Sequence, residues 1–264
     1  MLKAPDSALV RSLRPSPNFG ARKGGRGIDM IVLHYTGCPS AESACLWMCS
    51  PDSQVSAHYL VDEDGEIAQL VAEEARAWHA GAGHWAGEDD VNSCSIGIEI
   101  QNAGHAGAAE DGAAEGGVLP PYPARQMRAV AALVEDIMRR HGIAPERVVG
   151  HSDVAPLRKA DPGEHFPWEM LARKGLALPV PEVELPAAVA LDAAGARRLQ
   201  ELLAKIGYGV PVSGAVCDHT RAVIRAFQRR FMPKRVDGAA DAQVLRMAEA
   251  VRDMLDARGR RAYI

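Results

Sequence analysis

A proline-rich stretch near residue 180 divides the chain into two parts of unequal length. Residues 178–190 read LPVPEVELPAAVA and contain three prolines. Proline lacks a backbone N–H and cannot continue a helix or a central strand, so this segment is predicted to be a semi-rigid extended linker. The sequence therefore predicts a large domain at residues 1–177 and a small domain at residues 191–264.

The large part alternates short apolar runs with polar turns, which is the pattern of an α/β domain. Residues 28–33 form an apolar run typical of a buried strand, and Ser95–Ile100 alternates isoleucine with smaller or polar residues. Residues 58–61 and 66–70 predict a hairpin across an acidic turn that contains glycine. Residues 147–150 predict one more short strand.

Helical periodicity occurs on both sides of the linker. From Pro123 to residue 141 the apolar positions follow helical spacing, and Gly142 is the predicted terminator. The preceding residues 104–123 are rich in Gly, Ala, Pro and acidic residues, so a mobile loop beside the site is expected. The small part has three apolar-periodic stretches that predict a three-helix unit with one modest core, at residues 191–206, 220–231 and 242–255.

Composition and charge exclude several classes of function. The formal charge of -4 and the pI near 6.1 argue against a nucleic-acid partner, which needs a concentrated basic face. No apolar run approaches the roughly 20 residues of a membrane span. The opening segment lacks the apolar core of a secretory signal, and five unevenly spaced cysteines do not suggest a disulfide framework. We therefore expect a cytoplasmic setting, with the periplasm as the alternative if a signal peptide was trimmed.

Three polar residues that follow predicted strands or turns offer a set of metal ligands. These are His34, His151 and Asp161. Two imidazoles and a carboxylate are a common ligand set for catalytic zinc, and they leave a fourth position for water. Taken singly, each residue has an ordinary structural interpretation, because a lone histidine is usually structural and Asp-Pro-Gly forms a turn whatever its function.

The surrounding motifs favour the functional interpretation. The sequence contains, in this order, VLHYTG, SAHYLVDEDGEI, AWHAG, NSCSIGIEIQN and VVGHSDVAPLRKADPG. Over residues 29–168 these motifs closely resemble the bacterial N-acetylmuramoyl-L-alanine amidases of the type-2 amidase family, which are related to phage amidases and animal peptidoglycan-recognition proteins. The resemblance implies a central mixed β-sheet flanked by helices. It also implies hydrolysis of the amide that joins a sugar lactyl group to the first L-alanine of a peptidoglycan stem peptide.

The resemblance also implies roles for individual residues. By position, His34, His151 and Asp161 match the ligands of Zn²⁺, Glu99 matches the general base, and Lys159 matches the cation that stabilises the oxyanion. Amide hydrolysis needs a proton acceptor for water, a proton donor for the leaving amine, and positive charge near the tetrahedral oxygen. The strand pattern independently places Glu99 on the face opposite the three isoleucines.

Further residues near these motifs are expected to contact substrate, namely His79, Trp78, Asn102 and Arg158. For His58 both a structural and a functional role are open. Ala57 stands where phage-type members have a tyrosine, so a tyrosine-assisted mechanism is not expected. The third ligand is Asp161 and not the cysteine of phage and animal relatives, which points to the bacterial muropeptide-amidase branch.

The small part has a resemblance of its own. The segments LQELLAKIGYG, SGAVCDHTRAVIRAFQRRF and VDGAADAQVL resemble the three-helix peptidoglycan-binding domain of many wall hydrolases. This implies peptidoglycan or its fragments as the partner. The alternatives are that the unit packs on the amidase part or supports a homodimer.

The leading prediction is a zinc-dependent amidase that acts on anhydro-muropeptides during cytoplasmic peptidoglycan recycling. One alternative is a periplasmic or phage-type amidase that acts on the intact wall, which would better explain the C-terminal segment. A second alternative, of a different class, is a non-catalytic peptidoglycan-binding protein. Such relatives lack at least one metal ligand, whereas this chain has all three.

Overall fold

A six-stranded mixed sheet organises the first 150 residues of the computed structural model, which describes residues 2–25, 27–105 and 119–261. In chain order its strands are β1 (Ser12–Leu13), β3 (Met30–Tyr35), β4 (Tyr59–Val61), β5 (Ile67–Gln69), β7 (Ser95–Ile100) and β8 (Val148–Gly150). Across the sheet the order is β1-β5-β4-β7-β3-β8. Only the β4–β5 pair is antiparallel, and the other four pairs are parallel. The expected mixed sheet is therefore confirmed.

A second, two-stranded sheet lies outside the central one. It pairs β2 (Phe19–Ala21) with β6 (Ala75–Ala77) in antiparallel register. Strands β1, β2 and β6 were not predicted from the sequence; each has only two or three residues. Together these strands fix the N-terminal segment against the sheet and the segment that follows β5.

Helices flank the sheet and make up the C-terminal part. In chain order they are α1 (Ala41–Cys49), α2 (Val91–Cys94), α3 (Ala124–His141), α4 (His151–Val154), α5 (Trp168–Ala172), α6 (Ala193–Ile206), α7 (Asp218–Phe231) and α8 (Ala242–Arg261). Helix α3 ends as predicted, with Gly142 in the left-handed conformation and its N–H donating to the Met138 carbonyl. None of the helices in the described ranges is long and apolar enough to cross a membrane.

The predicted elements match the observed ones with small displacements. The first predicted strand, residues 28–33, lies instead at Met30–Tyr35, so His34 is inside the strand and not after it. The predicted hairpin is confirmed by the β4–β5 pair. No disulfide joins any of the five cysteines, all of which are in the described part of the chain. The loop predicted at residues 104–123 falls mostly on residues 106–118, outside the described residues.

The three C-terminal helices share a hydrophobic core with one face of the sheet. Buried Met30 and Val32 of β3 belong to the same cluster as Leu203 of α6 and Phe227 of α7. Residues 178–189 between the two parts contain no helix or strand, as the prolines predict. The division of the chain into domains at 1–177 and 191–264 stays a prediction, but the two parts pack closely.

Candidate active site

A cavity of about 350 Å³ opens at the carboxyl ends of β3 and β7. These strands pair in parallel register, with His34 beside Glu99, so both side chains arise from the same edge of the sheet. Helix α1 contributes Trp47 to the wall, and Trp78 closes another side. Ligand sites in sheets with parallel strands commonly lie at such carboxyl ends.

Three buried side chains converge at the inner end of the cavity. Asp161 Oδ2 lies 3.0 Å from His34 Nδ1 and 3.0 Å from His151 Nδ1, and the two Nδ1 atoms are 2.9 Å apart. His151 is the first residue of α4, immediately after β8. Among the described residues this is the one group of three His, Cys, Asp or Glu side chains whose ligand atoms could hold a metal ion.

A chain of hydrogen bonds determines which nitrogen of His34 carries a proton. The Val91 carbonyl can only accept, so it takes the Ser95 hydroxyl proton at 2.6 Å. Ser95 Oγ must then accept from His79 Nε2 at 3.2 Å, which leaves His79 Nδ1 as an acceptor. His34 Nε2 lies 3.1 Å from that atom and donates to it. The lone pair of His34 Nδ1 is therefore directed into the site.

His151 is oriented in the same way by a backbone carbonyl. Its Nε2 donates to the Ala80 carbonyl at 3.1 Å, so its Nδ1 also presents a lone pair to Asp161. Three acceptor atoms thus face one another at about 3 Å. Acceptors at this distance repel each other unless a proton or a cation lies between them, so the arrangement suits a positive ion.

The ionisation of these side chains also suits metal binding. Burial, together with the nearby His151, lowers the pKa of His34 to about 4. Burial alone would raise the pKa of Asp161, but its interactions with His151 and His34 outweigh this and lower it. Neutral imidazole and ionised carboxylate are the forms that ligate metals.

Glu99 and Lys159 line the same cavity. Burial raises the pKa of Glu99 well above its ordinary value, the Asp161 carboxylate adds to this, and the Lys159 ammonium opposes it. The Oε2 atom of Glu99 is buried and has no hydrogen-bond partner in the described structure. A carboxylate with a raised pKa and a buried, unpartnered oxygen is suited to accept a proton from a bound molecule.

The four expected substrate contacts fall into different places. Trp78 and His79 line the cavity, but both ring nitrogens of His79 are engaged, by His34 and Ser95. Asn102 does not line this cavity, because its amide donates to the Pro120 carbonyl and accepts from the Gly104 N–H. Arg158 does not line it either, and donates to the Ala80 and Ala82 carbonyls.

His58 has a structural position. It is fully buried, its Nδ1 accepts from the Gly97 N–H, and its Nε2 lies 3.1 Å from the Ala75 carbonyl. Trp47, which is 58% exposed and lines the cavity, was not predicted from the sequence. A large apolar side chain on the solvent side of a helix is the signal that could have found it. Ser95 was missed because an alternating strand gives no sign of a hydrogen-bonding role.

Comparison with known proteins accounts for both parts of the chain. The model of the N-acetylmuramoyl-L-alanine amidase family matches residues 24–164. N-acetylmuramoyl-L-alanine amidase AmiD of Escherichia coli is 37% identical over 238 residues, which is 85% of this chain and 82% of AmiD. The chain belongs to the N-acetylmuramoyl-L-alanine amidase family. The amidase also matches the model of a peptidoglycan binding domain over residues 193–248.

Solved structures support the same assignment. The amidase resembles E. coli AmiD in complex with anhydro-N-acetylmuramic acid-L-Ala-D-gamma-Glu-L-Lys, with a TM-score of 0.76, 36% identity, and coverage of 89% of this chain and 92% of AmiD. It also resembles AmpDh3 of Pseudomonas aeruginosa in complex with anhydromuramic pentapeptide, with a TM-score of 0.69 and 31% identity over 97% of this chain and 99% of that one. The predictions of fold class and of amidase activity are confirmed.

Proposed function

We propose that this amidase is zinc-dependent and that His34, His151 and Asp161 bind the metal. The convergence of their three lone-pair-bearing atoms is the observation that carries the proposal. Ligands about 2.0–2.1 Å from zinc at tetrahedral angles lie roughly 3.3 Å from one another. The observed separations of 2.9 to 3.0 Å are close to this value, and the donor set of two imidazoles and one carboxylate fits zinc.

The chain's own residues would carry out the proton transfers. When bound, zinc acidifies a coordinated water and polarises the amide carbonyl. The Glu99 carboxylate accepts a proton from the water as its oxygen attacks the carbonyl carbon. Glu99 then delivers that proton to the alanine nitrogen as the C–N bond breaks. The Lys159 ammonium stabilises the negative charge that develops on the carbonyl oxygen.

Anhydro-muropeptides are the proposed substrates. AmiD and AmpDh3 hold anhydro-sugar peptides in their solved complexes, and both structures align with most of this chain. AmpD of Haemophilus influenzae, 31% identical over 58% of this chain and 86% of its own length, is named a 1,6-anhydro-N-acetylmuramyl-L-alanine amidase. Cytoplasmic peptidoglycan recycling is the setting we propose. The match to a peptidoglycan binding domain supports the second candidate, an amidase that acts on the intact wall.

One assay tests the metal, the base and the substrate together. The purified chain is incubated with a soluble anhydro-muropeptide or with intact sacculi, and free stem peptide is quantified. We expect faster release from the soluble substrate, loss of activity on chelation, and recovery on addition of Zn²⁺. Glu99→Gln should lower kcat by about 10²–10⁴-fold while zinc content stays the same.

Glu66→Gln is the matched control, since Glu66 is exposed and immediately precedes β5, which two strands separate from β3 and its His34. It should retain wild-type kcat. Full activity after thorough metal removal would contradict the zinc proposal, and full activity of Glu99→Gln would contradict its role as base. Faster turnover of sacculi would favour the wall-directed candidate.

A further inference from the structure

A tyrosine from the C-terminal helical part reaches helix α4, which begins at His151. Tyr208 follows the end of α6 and is 2% exposed. Its ring packs edge-on against Trp85 with centroids 4.9 Å apart, and a β-bridge joins the backbones of these two residues. Its hydroxyl donates to Asp153 Oδ1 at 2.7 Å. The Tyr208 side chain therefore has a fixed orientation. Its hydroxyl contacts Asp153, which is two positions after His151, a proposed metal ligand.

Asp153 uses its two carboxylate oxygens for different partners. Oδ2 accepts from the Gly150 N–H at 2.8 Å, which holds the turn between β8 and α4. Oδ1 accepts from Tyr208. The same turn is bonded to the segment of the third ligand, because the Ser152 N–H donates to the Asp161 backbone carbonyl at 2.8 Å. The side chain of Asp153 thus links the turn that positions two ligands to the helical part.

Two buried arginines of α7 add further links between the two parts. Arg230 is 5% exposed, and its guanidinium lies 3.3 Å from the centre of the Trp168 ring. Arg229 is 8% exposed, and its Nε lies 3.6 Å from Glu164 Oε2, three residues after Asp161. Helix α7 also packs against α4. Buried cations are rare unless they have partners. These contacts therefore help to fix the position of the helical part on the segment that contains His151 and Asp161.

We infer that Tyr208 is a positioning residue of the amidase: its bond to Asp153 holds the His151 turn in the geometry that binds the metal. The helical part then has a role besides any contact with peptidoglycan. This inference rests on the proposed zinc site. Groups that orient metal ligands from the next layer commonly change metal affinity or activity by about 10–100-fold when they are removed.

Tyr208→Phe tests the inference in the full-length chain, because it removes the hydroxyl and keeps the ring. We expect the Kd for Zn²⁺, measured by competition with a chelating dye, to rise about 10-fold. With zinc saturating, kcat should fall and KM should stay the same. Asp153→Asn changes the acceptor of the same hydrogen bond and should weaken zinc binding as well. Adding Tyr208→Phe to Asp153→Asn should cause little further loss of zinc affinity.

Tyr59→Phe is the matched control. Tyr59 is also fully buried, and its hydroxyl donates to the Glu73 carboxylate at 2.6 Å, away from the ligand turn. It should lower the Tm of the metal-free protein about as much as Tyr208→Phe, without changing the Kd for Zn²⁺. Equal zinc affinities for Tyr208→Phe and Tyr59→Phe would overturn the inference. Additive losses of zinc affinity when Asp153→Asn and Tyr208→Phe are combined would also overturn it. Failure of the wild type to bind zinc would instead overturn the proposed function.

Discussion

At the scale of single residues, the site depends on the direction of one hydrogen-bond chain. The Val91 carbonyl cannot donate, and this fixes Ser95, then His79, then His34 in turn. The sequence predicted His34 as a ligand because of its motif. It could not predict the role of His79 as the partner of His34, because only the folded sheet brings residues 79 and 95 together. The assignments of ligands and catalytic residues stay predictions, now with a geometry that supports them.

Gly97 gives a residue-scale prediction for this chain. A Cβ at position 97 would lie 2.6 Å from Cδ2 and 2.7 Å from Nδ1 of the His79 ring. Gly97→Ala should therefore displace the ring and break its bond to His34. We expect a loss of about 1–3 kcal/mol in unfolding free energy, from overpacking. Activity should fall by about 10-fold or more, from the misoriented ligand. Thermal unfolding and kcat measure the two effects.

Gly20→Ala is the control for this substitution. A Cβ at Gly20, in β2, would approach no atom nearer than 3.9 Å. This variant should keep both its stability and its kcat. Wild-type activity in Gly97→Ala would show that the orientation of His79 does not matter for the site.

At the scale of elements, the register of β3 and β7 explains how ligand and base meet. Parallel pairing sets His34 beside Glu99, and β8 on the other side of β3 leads directly into His151. The apolar runs of these strands were visible in the sequence, but their order across the sheet was not. The strand order depends on long-range packing, which a local pattern does not reveal. Elements of two to four residues, such as β1 and α4, are also too short to be predicted from periodicity.

Glu73 gives an element-scale prediction, because it connects the end of α3 to β4. Burial alone would raise the pKa of Glu73, but hydrogen bonds from Arg140, Tyr59 and His141 outweigh this and lower it to about 2. A folded-state pKa below the unfolded value adds stability above about pH 4.5, and this is lost as the pH falls toward 2. A lowering of the Glu73 pKa by this amount corresponds to roughly 3 kcal/mol of unfolding free energy.

Glu73→Gln should therefore be less stable than the wild type at pH 6. The difference in unfolding free energy between the two proteins, called the gap below, should narrow as the pH falls from about 4.5 to 2. Urea unfolding at several pH values measures the gap. Glu169→Gln is the control, because the Glu169–Arg173 pair is exposed and such pairs contribute about 0–1 kcal/mol. A gap that does not change with pH would contradict the low pKa of Glu73.

At the scale of the whole molecule, one hydrophobic core crosses the predicted domain boundary. The linker prolines and the helical periodicity were visible in the sequence, and each of the three C-terminal helices was predicted with an apolar face. Periodicity shows that a face is apolar, but it does not show what covers that face. The structure shows that Leu203 and Phe227 share a cluster with Met30 and Val32 of the sheet. Of the alternatives for the helical part, packing on the amidase part is the one that this cluster supports.

This shared core predicts that cutting the linker will not separate the two parts. Glu184 and Leu185 are exposed and lie outside any helix or strand, so a protease site inserted between them should be cleaved without disturbing the core. We expect the nicked chain to elute as a single particle and to keep its kcat. Buried apolar contacts and the Tyr208–Asp153 bond would hold the fragments together. Nicked Tyr208→Ala should dissociate more readily, since truncating a buried aromatic side chain costs about 3–5 kcal/mol. Separation of the nicked wild type at micromolar concentration would instead show that the two parts are held together mainly by the linker.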